Sequence, residues 1–142
     1  MKSVIFACIH SAGRSQMATA WFNLLADPAK ARATAAGTEP AGAVHAIVVE
    51  AMKEVGVDLS QAKPSLLTQE RLLAASGLIT MGCGEACPTA PPGLWRDDWA
   101  LPDPKGQPLE RVREIRDDIR RRVLELVEKH QWGLESPPGR KG

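Results

Sequence analysis

Short apolar runs alternate along the chain with segments in which apolar residues recur every three or four positions. Val4-Ile5-Phe6-Ala7 is apolar on both faces, which predicts a buried, central strand over Lys2 to Ala7. Met17, Trp21, Leu24 and Leu25 follow at helical spacing, and the helix predicted over Gln16 to Ala26 stops near Asp27-Pro28. A short strand over Arg32 to Ala36 leads into the turn Gly37-Thr38-Glu39-Pro40. Val44, Ile47, Val48, Ala51, Met52 and Val55 form the apolar face of a second helix, closed by Gly56, with His45 on its solvated side. Thr68 caps a short helix through Ala75 with Leu72 and Leu73 inward, and Leu78-Ile79-Thr80-Met81 is a third buried strand.

Residues 82 to 108 are rich in proline and glycine and read as a long loop. A short strand over Leu94 to Trp99 interrupts it, with Trp95 and Trp99 as anchors. The last helix runs from about Pro108 to about Gln131. Leu109, Val112, Ile115, Ile119, Val123, Leu126 and Val127 line one face, and Asp117–Arg121, Asp118–Arg122 and Glu125–Lys129 pair on the other. Strands alternating with helices predict an α/β fold: a single-domain open parallel sheet of about four strands with helices on both faces. The domain is expected over residues 1–134, with 135–142 a flexible tail.

Composition narrows the function. The chain has 142 residues, 44% hydrophobic, with a formal net charge of +1 and 4% aromatics. The absence of a basic block argues against nucleic-acid binding, and no apolar run is long enough for a membrane span. Three cysteines are an odd number, which points to thiol chemistry in a cytoplasmic protein rather than to a secreted disulfide framework.

The chemistry concentrates in Cys8-Ile9-His10-Ser11-Ala12-Gly13-Arg14-Ser15, between the first strand and the first helix. Such a turn aims backbone N–H groups at one point, and the helix N-terminus adds positive potential. Arg14 adds a planar pair of donors suited to a tetrahedral oxyanion. A cysteine at the floor of that field is a nucleophile that ionises near neutral pH. Ser15 caps the helix, donates to the Cys8 thiolate, or does both. His10 reads as a loop residue facing solvent.

Cys83-Gly84-Glu85-Ala86-Cys87 spaces two further thiols at i and i+4, a separation that a disulfide can span after little rearrangement. A zinc site and a pair of inert core cysteines are the alternatives, but the chain offers no convincing fourth zinc ligand. The first and third strands end on the same side of a parallel sheet, so Cys8 and Cys83 can meet. Asp103-Pro104 is a common turn dipeptide, and it also suits a carboxyl aimed over the Cys8 loop.

These residues resemble the arsenate reductases built on the low-molecular-weight protein tyrosine phosphatase fold. The resemblance runs through Cys8 to Ala18, Ala36 to Pro40, Val55 to Asp58, Met81 to Pro88 and Leu101 to Pro104. The double-cysteine segment is its specific part, because plain phosphatases of this fold lack it. Those phosphatases also usually carry tyrosines after their Asp-Pro, whereas Lys105-Gly106 follows here and the chain has no tyrosine. The family loop commonly has asparagine where this chain has Ser11.

The resemblance implies that the loop from Ile9 through His10, Ser11, Ala12 and Gly13 to Arg14 and Ser15 binds arsenate. Cys8 attacks arsenic and Asp103 protonates the leaving hydroxyl. Cys83 then attacks Cys8, arsenite leaves, and Cys87 attacks Cys83. Thioredoxin or another thiol reductant reduces the final disulfide. No metal or organic cofactor is expected, and the chain is expected to act as a monomer. Two other functions fit the loop: a phosphatase acting on phosphotyrosine or a small ester, and a non-catalytic oxyanion or redox sensor.

Overall fold

The computed structural model describes residues 2–81 and 93–133. Cys83, Cys87 and the tail 135–142 lie outside the described residues. β1 (Lys2–Cys8) is paired in parallel with β2 (Ala31–Gly37) on one side and with β3 (Gly77–Thr80) on the other. β4 (Trp95–Asp98) pairs in parallel with β3, which makes the order β2-β1-β3-β4. β1 is central, as its doubly apolar run predicts.

Side-chain alternation along β1 divides the interior. Val4, Phe6 and Cys8 face one layer with α1 (Arg14–Leu25), α2 (Ala46–Lys53) and α4 (Leu109–Lys129). Ile5 and Ala7 face the other, where Leu72 of α3 (Gln69–Ala74) packs with Ala36 and Leu78. Helices therefore cover both faces, the first much more heavily. Thr68 caps α3 through its hydroxyl, which accepts from the Arg71 amide at 3.2 Å. Gly56 has φ +81°, the left-handed conformation a glycine after a helix supplies.

Several expectations need correction. α1 begins at Arg14 rather than Gln16, so Arg14 and Ser15 belong to its first turn. Leu24 is 54% exposed and Leu73 is 71% exposed. The inward stripe of α1 follows Met17, Ala18, Trp21 and Phe22 and leaves Leu24 at its margin. In α3, Leu72 takes the one buried position, and the next residue is turned about 100° toward solvent. Val55 lies beyond the end of α2 and is 38% exposed. On α4, Asp118–Arg122 forms, but Arg121 bonds Asp118 and Glu125, and Asp117 takes Arg116. Long arginine side chains reach several carboxylates, so spacing alone does not choose the pair.

The tryptophans do anchor the segment before α4. Trp99 is buried against Phe6, with ring centroids 5.5 Å apart. Trp95 stacks on His130 at 5.2 Å, and His130 stacks on Trp132 at 4.3 Å. Among the described residues no helix is long and apolar enough to cross a membrane.

Candidate active site

β1 ends at Cys8 and α1 starts at Arg14, so Ile9 to Gly13 must cross the end of the sheet in a tight arc. The arc passes directly over Gly37 at the end of β2. A Cβ there would lie 2.5 Å from the Ile9 carbonyl oxygen and 2.8 Å from the Ser11 amide nitrogen. Only glycine leaves that path open.

The peptide planes of the arc are fixed from outside. The Ile9, His10 and Ala12 carbonyls accept from the amides of Glu39 (2.8 Å), Ala41 (2.9 Å) and His45 (2.9 Å). A carbonyl turned outward turns the following N–H inward, because the two are antiparallel in a planar trans peptide. Among the described residues the amides of His10, Ser11, Ala12 and Gly13 have no acceptor. The N-cap of α1, Gly13, supplies no side-chain cap either. This leaves a nest of converging donors at a helix N-terminus.

Ser11 is buried with φ +52°, a strained conformation for a side-chain-bearing residue. Gln16 Nε2 holds it, donating to the Ser11 carbonyl at 2.9 Å and to Lys63 O at 3.2 Å. The Ser11 hydroxyl accepts longer bonds, at 3.4 Å each, from Gln16 Nε2 and the Ser65 amide. Sequence reading missed Gln16. Its only signal is an amide side chain one turn into the helix that follows the loop.

Cys8 is buried, with Sγ 3.0 Å from Ser15 Oγ. Arg14 is 8% exposed and donates through Nη1 to the Leu101 carbonyl at 2.7 Å, which ties the helix start to the segment carrying Asp103. Asp103 is exposed, and its Oδ1 accepts from the Lys105 amide at 3.0 Å, a turn bond. It lines the same small recess as Cys8 and Arg14, about 210 Å³ including its open mouth. Pro104 closes on Gly13, where a Cβ would meet Pro104 Cγ at 2.9 Å. The turn bond and a place in the recess thus coexist at Asp103.

His45 departs most from its expected place. It is half-buried and lines the recess instead of lying on a solvated face. Burial holds its imidazole below the ordinary 6.5, with Asp103 pulling the other way. His10 is exposed as expected, and its Nδ1 is 3.0 Å from the Glu39 carbonyl. No group of three or more His, Cys, Asp or Glu residues among those described is placed to hold a metal ion.

The model of the low molecular weight phosphotyrosine protein phosphatases matches residues 3–132. The chain belongs to this family. Arsenate reductases and a phosphatase are among the proteins it is similar to. A Halobacterium salinarum protein provisionally named an arsenate reductase is 43% identical over 129 residues, covering 87% of this chain and 89% of its own length. A thioredoxin-dependent arsenate reductase of Corynebacterium glutamicum superposes with a TM-score of 0.78 at 37% identity. That match covers 92% of this chain but only 62% of the other. An arginine phosphatase of Geobacillus stearothermophilus superposes with a TM-score of 0.80 at 25% identity, covering 92% and 94%. In this family member the carboxyl end of β3 delivers the chain beside the loop. Just past β3, the Met81 amide donates to the Ala7 carbonyl at 2.9 Å, one residue before Cys8.

Proposed function

We propose that the protein reduces arsenate to arsenite by a three-thiol cascade. The reading is supported above all by Cys8, which touches Ser15 at the floor of a loop whose inward amides have no acceptor among the described residues. The second support is the Cys83-x3-Cys87 pair, which a phosphatase does not need. The relatives named as arsenate reductases agree with both.

Arsenate sits in the nest, with the remaining Arg14 N–H groups on its oxygens. The Cys8 thiolate attacks arsenic, with Ser15 as its hydroxyl donor, and forms an S–As bond. Asp103 protonates the leaving hydroxide, which departs as water. Cys83 attacks the Cys8 sulfur. The S–As electron pair passes to arsenic, and arsenite leaves as a Cys8–Cys83 disulfide forms. Cys87 then attacks Cys83, frees Cys8 and leaves Cys83–Cys87. A dithiol such as thioredoxin restores the two thiols by exchange. No cofactor takes part. Cys8, Arg14 and Asp103 line one recess of a single chain, which is consistent with a monomer, and a reducing cytoplasm would keep the thiols ready.

The test is arsenite release by the full chain supplied with arsenate and thioredoxin. Cys87→Ser should release about one arsenite per chain, as single-disulfide chemistry requires, and stop with Cys8 bound to Cys83. Full multiple turnover by that variant removes Cys87 from the cascade. No arsenite from the unaltered chain, together with ester hydrolysis that survives Cys83→Ser and Cys87→Ser, identifies a phosphatase instead.

A further inference from the structure

His45 stands directly before α2, yet its side chain makes no cap bond to that helix. Its amide fastens it to the nest loop through the Ala12 carbonyl at 2.9 Å. Its ring lies across Gly13, with Cδ2 3.5 Å from where a Cβ on that glycine would be. The ring is half-buried and shares the recess with Cys8, Arg14 and Asp103. Among the described residues neither ring nitrogen has a hydrogen-bond partner. His10 on the same rim, by contrast, is within bonding distance of Glu39 O. The imidazole stands over the anion nest with its ring nitrogens uncommitted to any described residue, so an oxyanion in the recess can take an N–H from it.

We propose that His45 is a further oxyanion-binding residue, whose ring N–H donates to an oxygen of the bound tetrahedral anion on the rim shared with Asp103. The geometry supplies a side-chain donor that the backbone nest lacks. It also sets that ring in the recess that Asp103 lines. In either protonation state the imidazole keeps at least one N–H, so the contact does not depend on charging the ring. Burial, which favours the neutral ring, is consistent with such a contact. The inference rests on the arsenate reading only for the identity of the reacting anion.

Inorganic phosphate, tetrahedral and not reduced, is the probe for binding. Calorimetry on the full chain should show phosphate affinity falling about tenfold in His45→Ala, the scale of one hydrogen bond to a charged group. His45→Gln, which retains an N–H donor, should stay within about twofold of the unaltered chain by the same reasoning. With arsenate, His45→Ala should raise KM more than it lowers kcat, and His45→Gln should restore KM. Thermal unfolding should be nearly unchanged in both, because the side chain makes no cap bond. Unchanged phosphate affinity in His45→Ala overturns the proposal. So does a His45→Gln variant as weak as His45→Ala, or a loss of affinity that tracks a fall in melting temperature. A chain that binds phosphate through His45 yet makes no arsenite overturns the proposed function and leaves this contact standing.

Discussion

Arg14 and Arg116 are equally buried, each 8% exposed, and their surroundings differ sharply. Arg116 lies in the seam between α2 and α4. It donates to the Ala51 carbonyl at 2.9 Å and to Glu54 at 3.0 Å, and it grips both oxygens of Asp117 at 2.7 and 3.2 Å. Arg113 forks onto the same Glu54 at 2.9 and 2.6 Å. The bond to Asp117 holds the Arg116 guanidinium above its ordinary value, and the bond to Arg113 holds Glu54 below its own. Arg14 has one described bond, to a neutral carbonyl, and no carboxylate partner among the described residues. A buried cation without a counterion is costly unless something else supplies the negative charge. In the seam the protein supplies it. At the loop, under the proposed function, the arriving oxyanion does.

Breaking that contrast starts with the nucleophile. Cys8→Ser should abolish arsenite production while leaving the fold and phosphate binding largely intact, because serine fills nearly the same space. Persistent turnover in arsenite assays would remove Cys8 from the chemistry.

Arg14→Met should lower kcat/KM for arsenate by about 10²–10³-fold, the scale for a lost charge-stabilising donor. Its folding stability should move by no more than about 1 kcal/mol, because losing the bond to Leu101 offsets relief of an uncompensated charge. Urea titration and steady-state kinetics on one preparation separate the two effects. Asp103→Asn should slow adduct formation about 10²-fold, the scale for a lost general acid. Single-turnover kinetics check it, and an unchanged rate returns Asp103 to its turn bond alone.

Arg116→Met inverts the Arg14 result. Catalysis should be untouched, while stability falls by about 1–3 kcal/mol as the buried Ala51 carbonyl loses its donor. Glu54 faces solvent and keeps Arg113, so its loss of one donor adds little. The urea midpoint measures it.

The smallest effect concerns pH. Burial and nearby Lys129 hold His130 below its ordinary 6.5 in the folded chain. As pH falls through 6.5 the unfolded chain takes up the proton first, so stability must decline toward pH 5.5. His130→Gln should flatten part of that decline between pH 7.5 and 5.5, with His45, also held low, accounting for another part. An unaltered slope in urea midpoints would show that the Trp95–His130–Trp132 stack does not resist protonation.

Much of this was open to reading in the chain itself. Val4 to Ala7 is apolar at consecutive positions, and only a strand covered on both faces buries every one of them. The stripe of α4 repeats over enough turns that its buried positions Val112, Ile115, Ile119, Val123 and Val127 follow from spacing. Cys8 to Ser15 was legible because a nest, its cysteine and its arginine are contiguous, and local geometry assembles them. Leu73 and Val55 failed where a helix is short or already ended, since periodicity says nothing of where the covering layer stops.

What only the tertiary structure decided are the relations between segments far apart in sequence. Gly37 must be bare because the loop of β1 passes across the end of β2. Asp103 reaches the recess because Arg14 holds the Leu101 carbonyl, a contact spanning 87 residues. His45 precedes α2, and the helical period of that segment, carried back to it, assigns it to solvent. The loop beside it turns that side into the wall of the recess. Periodicity reports the face a residue takes on its own element. Whether water or another element lies against that face is settled only when the layers pack, because burial and hydrogen-bond partners are properties of the assembled chain.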